Sequence, residues 1–435
     1  MSILLTLFVI GFLIFVHELG HFMVAKLFKV HVETFSIGFG PKLFSFQKKE
    51  TTYKLSIIPI GGYIRMKQDE AEETETTYEE GSFQSKTWYQ RSLIVLAGPI
   101  FNLILATILI IATLLIGRTY NDFYPIVEYA EYPYNEYFQK GDVITQVNNV
   151  KVNTFTDIYR NLKENEENVF LVERNSESVQ SLSVNISSEI PFILYPSTTN
   201  LVGDVSVGLP AWKAGVRTGD KIIKIDEKET NTWNDIREAI ITSKNESIVL
   251  SIERDGVFQE ISVYPEINSL LDNDDSSGDL RSPHQHKIIG ITQHFDLTFT
   301  DNYNLYDSIK YGVVTTINFV YLNYKAIFTL FQNPALFKNN VGGPIMIHYL
   351  TSQATQLGIS STLYFMAAIS IMLMIMNLLP IPVFDGGHFM FFLYEGIFRR
   401  PIPIKIQMFL QQIGIFILIS LMVYAFYSDI MRFWR

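Results

Sequence analysis

Four stretches of this sequence are long and apolar enough, at roughly 20 residues each, to cross a hydrocarbon core as helices. They run from about Ser2 to Ala25, Ser92 to Gly117, Leu363 to Phe384 and Gln407 to Tyr427. In lipid every backbone polar group needs an internal partner, which leaves the helix as the form for such segments. The remainder must face water, because 18% of the 435 residues are charged although 48% are hydrophobic. Met1 to Val16 lacks a basic start and runs on into His17 and Glu18, so the first stretch reads as a retained span and not a cleavable signal peptide. The chain has no cysteine, which excludes disulfide scaffolds, cysteine zinc sites, iron–sulfur clusters and thiol nucleophiles. Its net charge of −10 speaks against nucleic acid, which requires a basic face.

Basic residues set the expected orientation. Ten lysines and arginines, Lys26 to Arg91, lie between the first two spans, and Arg399, Arg400 and Lys405 lie between the last two. Both loops are therefore expected in the cytoplasm, with the termini and residues 118–362 on the other side. Tyr311 to Tyr324 is an apolar run of only 14 residues, which suits an interfacial helix better than a fifth span. The acidic stretches Asp69 to Glu80 and Leu271 to Ser282 read as a solvated loop and a linker.

The first span carries His17-Glu18-Leu19-Gly20-His21. Imidazoles at i and i+4 project from one helix face about 40° apart, so both can reach one metal ion with the intervening glutamate beside it. Each ionisable group inside a span costs roughly 2.5–3.5 kcal/mol, so this cluster demands partners or a cavity. A catalytic zinc site needs a third protein ligand and an open position. Near the membrane the candidates are Asp385, His388 and Glu395. Asn377 to Gly387 breaks its helix with Pro380 and Pro382 and ends in a diglycine; irregular backbone at this depth is tolerated where protein covers it, which suits a buried ligand. Between the first spans, Leu43 to Phe46 and Tyr53 to Ile58 flank Lys48-Lys49-Glu50. They read as a β-hairpin near the bilayer whose free edge can pair with an extended strand.

Taken in order, His17 to His21, Gly38-Phe39-Gly40-Pro41, Ala97 to Asn102, Val341-Gly342-Gly343-Pro344-Ile345 and Asn377 to Gly387 resemble the site-2 protease family of intramembrane zinc metalloproteases, and within it the bacterial branch of sigma-E regulator proteases. The resemblance implies that His17, His21 and Asp385 bind Zn²⁺, that Glu18 is the catalytic glutamate, and that Asn377, Pro380 and Pro382 contact substrate. It implies a polytopic α-helical membrane protein with four transmembrane helices, a membrane-associated β-hairpin and two periplasmic PDZ-like domains. Pro210 to Ile223 is similar to the PDZ signature of that family, of which Gly141 to Ile144 keeps only a part. No peptide-gripping loop of the Gly-Leu-Gly-Phe kind is evident, which favours steric filtering over peptide capture.

The expected organisation is therefore residues 1–119, the first two spans and the hairpin; 120–194, a diverged PDZ-like domain; 195–268, a PDZ domain; 269–300, an acidic linker and strand; 301–362, an interfacial helical segment; and 363–435, the last two spans. The family implies a place in the bacterial inner membrane, with the active site towards the cytoplasm. Its substrates are single-span membrane proteins already cut outside, such as an anti-sigma factor in envelope stress signalling or signal-peptide remnants. The alternative is a non-proteolytic PDZ receptor or scaffold, against which the intact Glu18, both histidines and Asp385 argue. A zinc transporter would need further polar residues lining the second or fourth span, and none is evident.

Overall fold

The structure is a computed structural model that describes residues 2–68, 78–174, 178–268, 286–332 and 342–434. The linker Leu271 to Ser282, Val341 and residues 69–77 of the acidic stretch Asp69 to Glu80 lie outside these residues. The chain divides into two compact units, residues 1–118 with 301–429 and residues 119–300 with 430–435.

In the first unit the apolar stretches are helices: α1 (Ser2–Leu27), α2 (Trp88–Ile116), α3 (Leu305–Gln332), α4 (Pro344–Gln356), α5 (Ile359–Leu378), α6 (Asp385–Phe398) and α7 (Ile404–Phe433). Four of them, α1, α2, α5 and α7, are long and apolar enough to cross a membrane. The third stretch stops being helical at Leu378, short of the expected Phe384, because Pro380 and Pro382 can donate no backbone hydrogen bond and push the preceding residues towards extended backbone. α2 is the central element, packed against α1, α3, α5 and α6. Its core with α1 and α5 is made by Val9, Leu13, Leu109, Ile110, Ile371 and Ile375. At Gly20 a Cβ would lie 2.5 Å from the Ala97 carbonyl oxygen, so α1 and α2 meet backbone to backbone, as small residues permit in lipid.

The run Tyr311 to Tyr324 belongs to the longer helix α3, which packs along α2 and α5. Asp429, fully buried on α7, accepts hydrogen bonds from the backbone N–H groups of Gly343, Ile345 and Met346 at 2.9, 2.9 and 3.0 Å. A carboxylate there satisfies the orphan donors at the start of α4 and complements its dipole.

Between α1 and α2 the chain forms β1 (Val32–Lys48) and β2 (Thr51–Met66). β1 is flanked by β2 on both sides, since Ile37 partners Leu55 and also Gly62. Large apolar side chains remain exposed on both strands, including Leu43, Phe44 and Phe46 of β1 and Ile57 of β2.

The second unit holds two copies of one arrangement, each a four-stranded antiparallel sheet. The strand order is 150–151, 143–147, 166–174, 178–186 in the first copy, and 228–229, 221–225, 248–254, 257–263 in the second. Each has a helix between its second and third strands, Phe155–Arg160 and Trp233–Thr242, opened by a capping box from Thr154 and Asp157 or Thr232 and Asp235. A buried aspartate receives a bidentate arginine in each, Asp142 from Arg174 and Asp220 from Arg254, all four contacts at 2.7 Å. Only Gly141 to Ile144 announced the first copy in sequence, because capping and ion-pair residues carry no hydrophobic pattern.

Candidate metal centre

One face of α1 presents His17 and His21 one turn apart, with ring centroids 4.8 Å apart and planes at 85°. Their Nε2 atoms face each other at 3.2 Å. Asp385 Oδ2 completes the group at 3.2 Å from His17 Nε2 and 3.5 Å from His21 Nε2. Among the described residues these are the three side chains whose donor atoms gather within 4.8 Å of one another in metal-binding fashion. Asp385 Oδ2 is buried without a hydrogen-bond donor. Two imidazole nitrogens and an orphaned carboxylate oxygen converging on one point suit a zinc ion, which takes three protein ligands in catalytic sites and leaves a fourth position open.

The neighbours of these side chains make the arrangement specific. His21 Nδ1 donates to the Ile94 carbonyl at 2.8 Å, which leaves the lone pair on Nε2, the form a ligand requires. Gly98 stands against both rings, and Asn102, fully buried, places its amide 3.2 Å from His17 Nδ1. Ile94, Gly98 and Asn102 recur every four residues on one face of α2, so this face backs both imidazoles. Asn102 is a polar residue of the second span that lines the centre, contrary to the expectation that no further polar residue does. An amide in the middle of an apolar span was the available signal, since burying it costs free energy unless it has work to do.

Asp385 is the first residue of α6. The chain reaches it from α5 through Pro380 and Pro382, and the turn closes so tightly that a Cβ at Gly386 would lie 2.4 Å from the Leu378 carbonyl oxygen and one at Gly387 2.3 Å from that of Ile381. The diglycine is thus a packing requirement. Asn377 sits in the last turn of α5, half-buried, and Pro380 and Pro382 lie on the same approach to Asp385. Of the other ligand candidates, Glu395 is engaged elsewhere, with Oε1 2.5 Å from Arg91 Nη2. His388 packs its ring at 6.1 Å from that of Phe391 and is outside the group.

Glu18 meets the hairpin. A Cβ on Gly62 would lie 2.9 Å from Glu18 Cγ and 3.1 Å from Ile14 Cγ2, so the backbone of β2 runs along the helix face that carries the glutamate. From Gly62 to Met66 this strand pairs with β1 on one side, and no strand pairs with its other side among the described residues. Beneath the hairpin, Phe15, Phe35, Phe44, Phe46, Tyr53 and Leu55 line an apolar cavity of about 170 Å³.

Residues 5–421 match Peptidase family M50. A protein of Clostridium acetobutylicum that carries a zinc metalloprotease name is 29% identical over 432 residues, which cover 99% of this chain and 97% of that one. A Campylobacter jejuni protein with a name of the same kind is 30% identical over 430 residues, covering 99% and 93%. The protease RseP of Yersinia pestis is 27% identical over 446 residues, 97% of each chain. With the family matched across nearly its whole length, four helices fit to span a membrane and a donor set fit for zinc, the chain belongs to peptidase family M50, the site-2 protease family of zinc metalloproteases.

Proposed function

We propose that the chain cuts single-span membrane proteins within the bilayer, with His17, His21 and Asp385 as the zinc ligands and Glu18 as the general base. The observation that carries this reading is the convergence of the three donor atoms beside a glutamate on the same helix turn. Zinc, when bound, supplies a Lewis acid that polarises the scissile carbonyl and makes water acidic enough to deprotonate near neutral pH. Glu18 takes the proton from the attacking water and hands it to the leaving nitrogen. A helical substrate hides its carbonyls in its own hydrogen bonds and must unwind first. The unpaired side of Gly62 to Met66, which runs past Glu18, offers replacement bonds by strand addition. Asn377, with Pro380 and Pro382, holds the unwound strand from the other side.

The orientation given by the basic loops puts this chemistry towards the cytoplasm of a bacterial inner membrane, and the exposed apolar residues of the hairpin fit contact with lipid. The two repeats of the second unit are read as PDZ-like domains on the periplasmic side. Their part is to exclude substrates that still carry a bulky outer domain, which makes a first extracytoplasmic cut a condition for the second. Anti-sigma factors and signal-peptide remnants meet that description. The test is cleavage of a single-span reporter by the wild type and by Glu18→Gln, with zinc measured on both. Zinc at full occupancy with cleavage reduced ~10²–10⁴-fold is expected; undiminished cleavage refutes the assignment of Glu18.

A further inference from the structure

We propose that Asn102 is a positioning residue that fixes the tautomer of His17, its amide oxygen accepting the proton on Nδ1. The proposal rests on the reading of His17, His21 and Asp385 as the zinc-holding group. His17 Nε2 faces His21 Nε2 and Asp385 Oδ2, both at 3.2 Å. A ligand role needs its lone pair on that side, and a neutral imidazole then carries its proton on Nδ1. His21 meets the same demand with a backbone carbonyl, that of Ile94 at 2.8 Å. For His17 the group opposite Nδ1 is the Asn102 side chain, at 3.2 Å.

An amide has two ends of nearly equal shape, and they impose opposite tautomers. With the NH₂ end towards the ring, the amide donates to Nδ1, drives the proton to Nε2 and spoils the ligand. That orientation also leaves Asn102 Oδ1 buried without a donor. A half-turn of the amide brings Oδ1 onto the Nδ1 proton, gives the orphaned oxygen its donor and frees the Nε2 lone pair. A buried polar atom without a partner calls for such an explanation. The backbone at this point is pinned, because Ser370 Oγ, fully buried on α5, donates to the Asn102 carbonyl at 2.8 Å. Helix packing therefore delivers the amide to His17, and substitutions of the side chain leave that anchor in place. Ile94 and Asn102, eight residues apart on α2, divide the work of orienting the two imidazoles.

The experiment measures the zinc dissociation constant of the full-length detergent-purified protein by chelator competition, for wild type, Asn102→Leu, Asn102→Asp and His17→Ala, with thermal unfolding of each metal-free form. Loss of a partner that orients a ligand weakens metal binding about 10–100-fold, which is expected of Asn102→Leu, whereas Asn102→Asp keeps an acceptor and stays within about threefold of wild type. A packing role predicts the reverse order, since leucine suits an apolar span and aspartate brings a buried charge. Asn102→Leu binding zinc within about threefold of wild type overturns the proposal, and so does equal weakening by both variants. If Asn102→Asp fails to fold, the leucine variant decides alone. His17→Ala separates the two levels: undiminished affinity there sinks the zinc-ligand reading itself, whereas loss there with retention in Asn102→Leu sinks only the tautomer role.

Discussion

Gly98 stands so close to His21 that a Cβ on it would lie 2.3 Å from Nε2, and 2.7 Å from Cε1 of His17. No real Cβ tolerates such a contact, and neither ring can retreat freely, because the Ile94 carbonyl holds His21 and Asn102 adjoins His17. Gly98→Ala is expected to fold and to lose zinc, measured by metal analysis of the purified protein against its unfolding temperature. Full zinc occupancy in the folded variant would show that the centre lies elsewhere.

Gly62 makes the complementary test, since its missing side chain faces Glu18 Cγ at 2.9 Å and not the histidines. Gly62→Ala should displace the glutamate or the strand while leaving the three donor atoms alone. The expected outcome is normal zinc content with cleavage reduced by a factor approaching the ~10²–10⁴ that general base catalysis contributes. Zinc loss equal to that of Gly98→Ala would mean that the hairpin shapes the metal ligands and not the base.

How much of this was legible in the sequence follows from the kind of signal each part leaves. The spans and the pair His17 and His21 were legible because apolar length and the i, i+4 spacing are local properties. The third member of the group stayed open on the residues alone, since Asp385, His388 and Glu395 lie within one short stretch; the resemblance implied Asp385, and tertiary packing is what brings that carboxylate against both imidazoles. The two-sided pairing of β1 was hidden for a similar reason, because register changes at bulges leave no periodic trace. The repeat in the second unit was half legible, through Gly219-Asp220 and its weaker counterpart Gly141-Asp142. The arginine that each aspartate receives comes from more than 30 residues away in the chain.

Asp385→Ala should lower zinc occupancy, because it removes one of three converging donors and the buried oxygen that lacks any other partner. His388→Ala should leave zinc unchanged, as its ring is outside the group. Metal analysis of the two variants side by side decides the matter. Full zinc in the first with loss in the second would reassign the third ligand.

Arg91, near the start of α2 and 7% exposed, gives Nη2 to Glu395 Oε1 at 2.5 Å and Nη1 to Gln84 Oε1 at 2.8 Å, and its guanidinium lies 4.8 Å over the Phe392 ring. The pair ties α2 to α6 ten residues beyond Asp385, roughly 15 Å along the helix. Removing one partner of a buried ion pair leaves the other charge uncompensated and costs ~3–5 kcal/mol. The Glu395 side chain keeps 22% exposure, which puts Glu395→Ala at the lower end of that range. Asp385 is also fixed by the diglycine turn against Leu378 and Ile381, so zinc bound per folded molecule should not fall. The combination Arg91→Glu with Glu395→Arg should recover part of the stability that either change loses, since the charges remain opposite although the fit to Gln84 and Phe392 is lost. Thermal unfolding of the wild type, both single variants and the double variant measures that coupling, expected at ~0.5–3 kcal/mol for residues in contact. Additive losses would mean that the pair contributes no joint stability, and zinc loss in Glu395→Ala would return Glu395 to the metal centre.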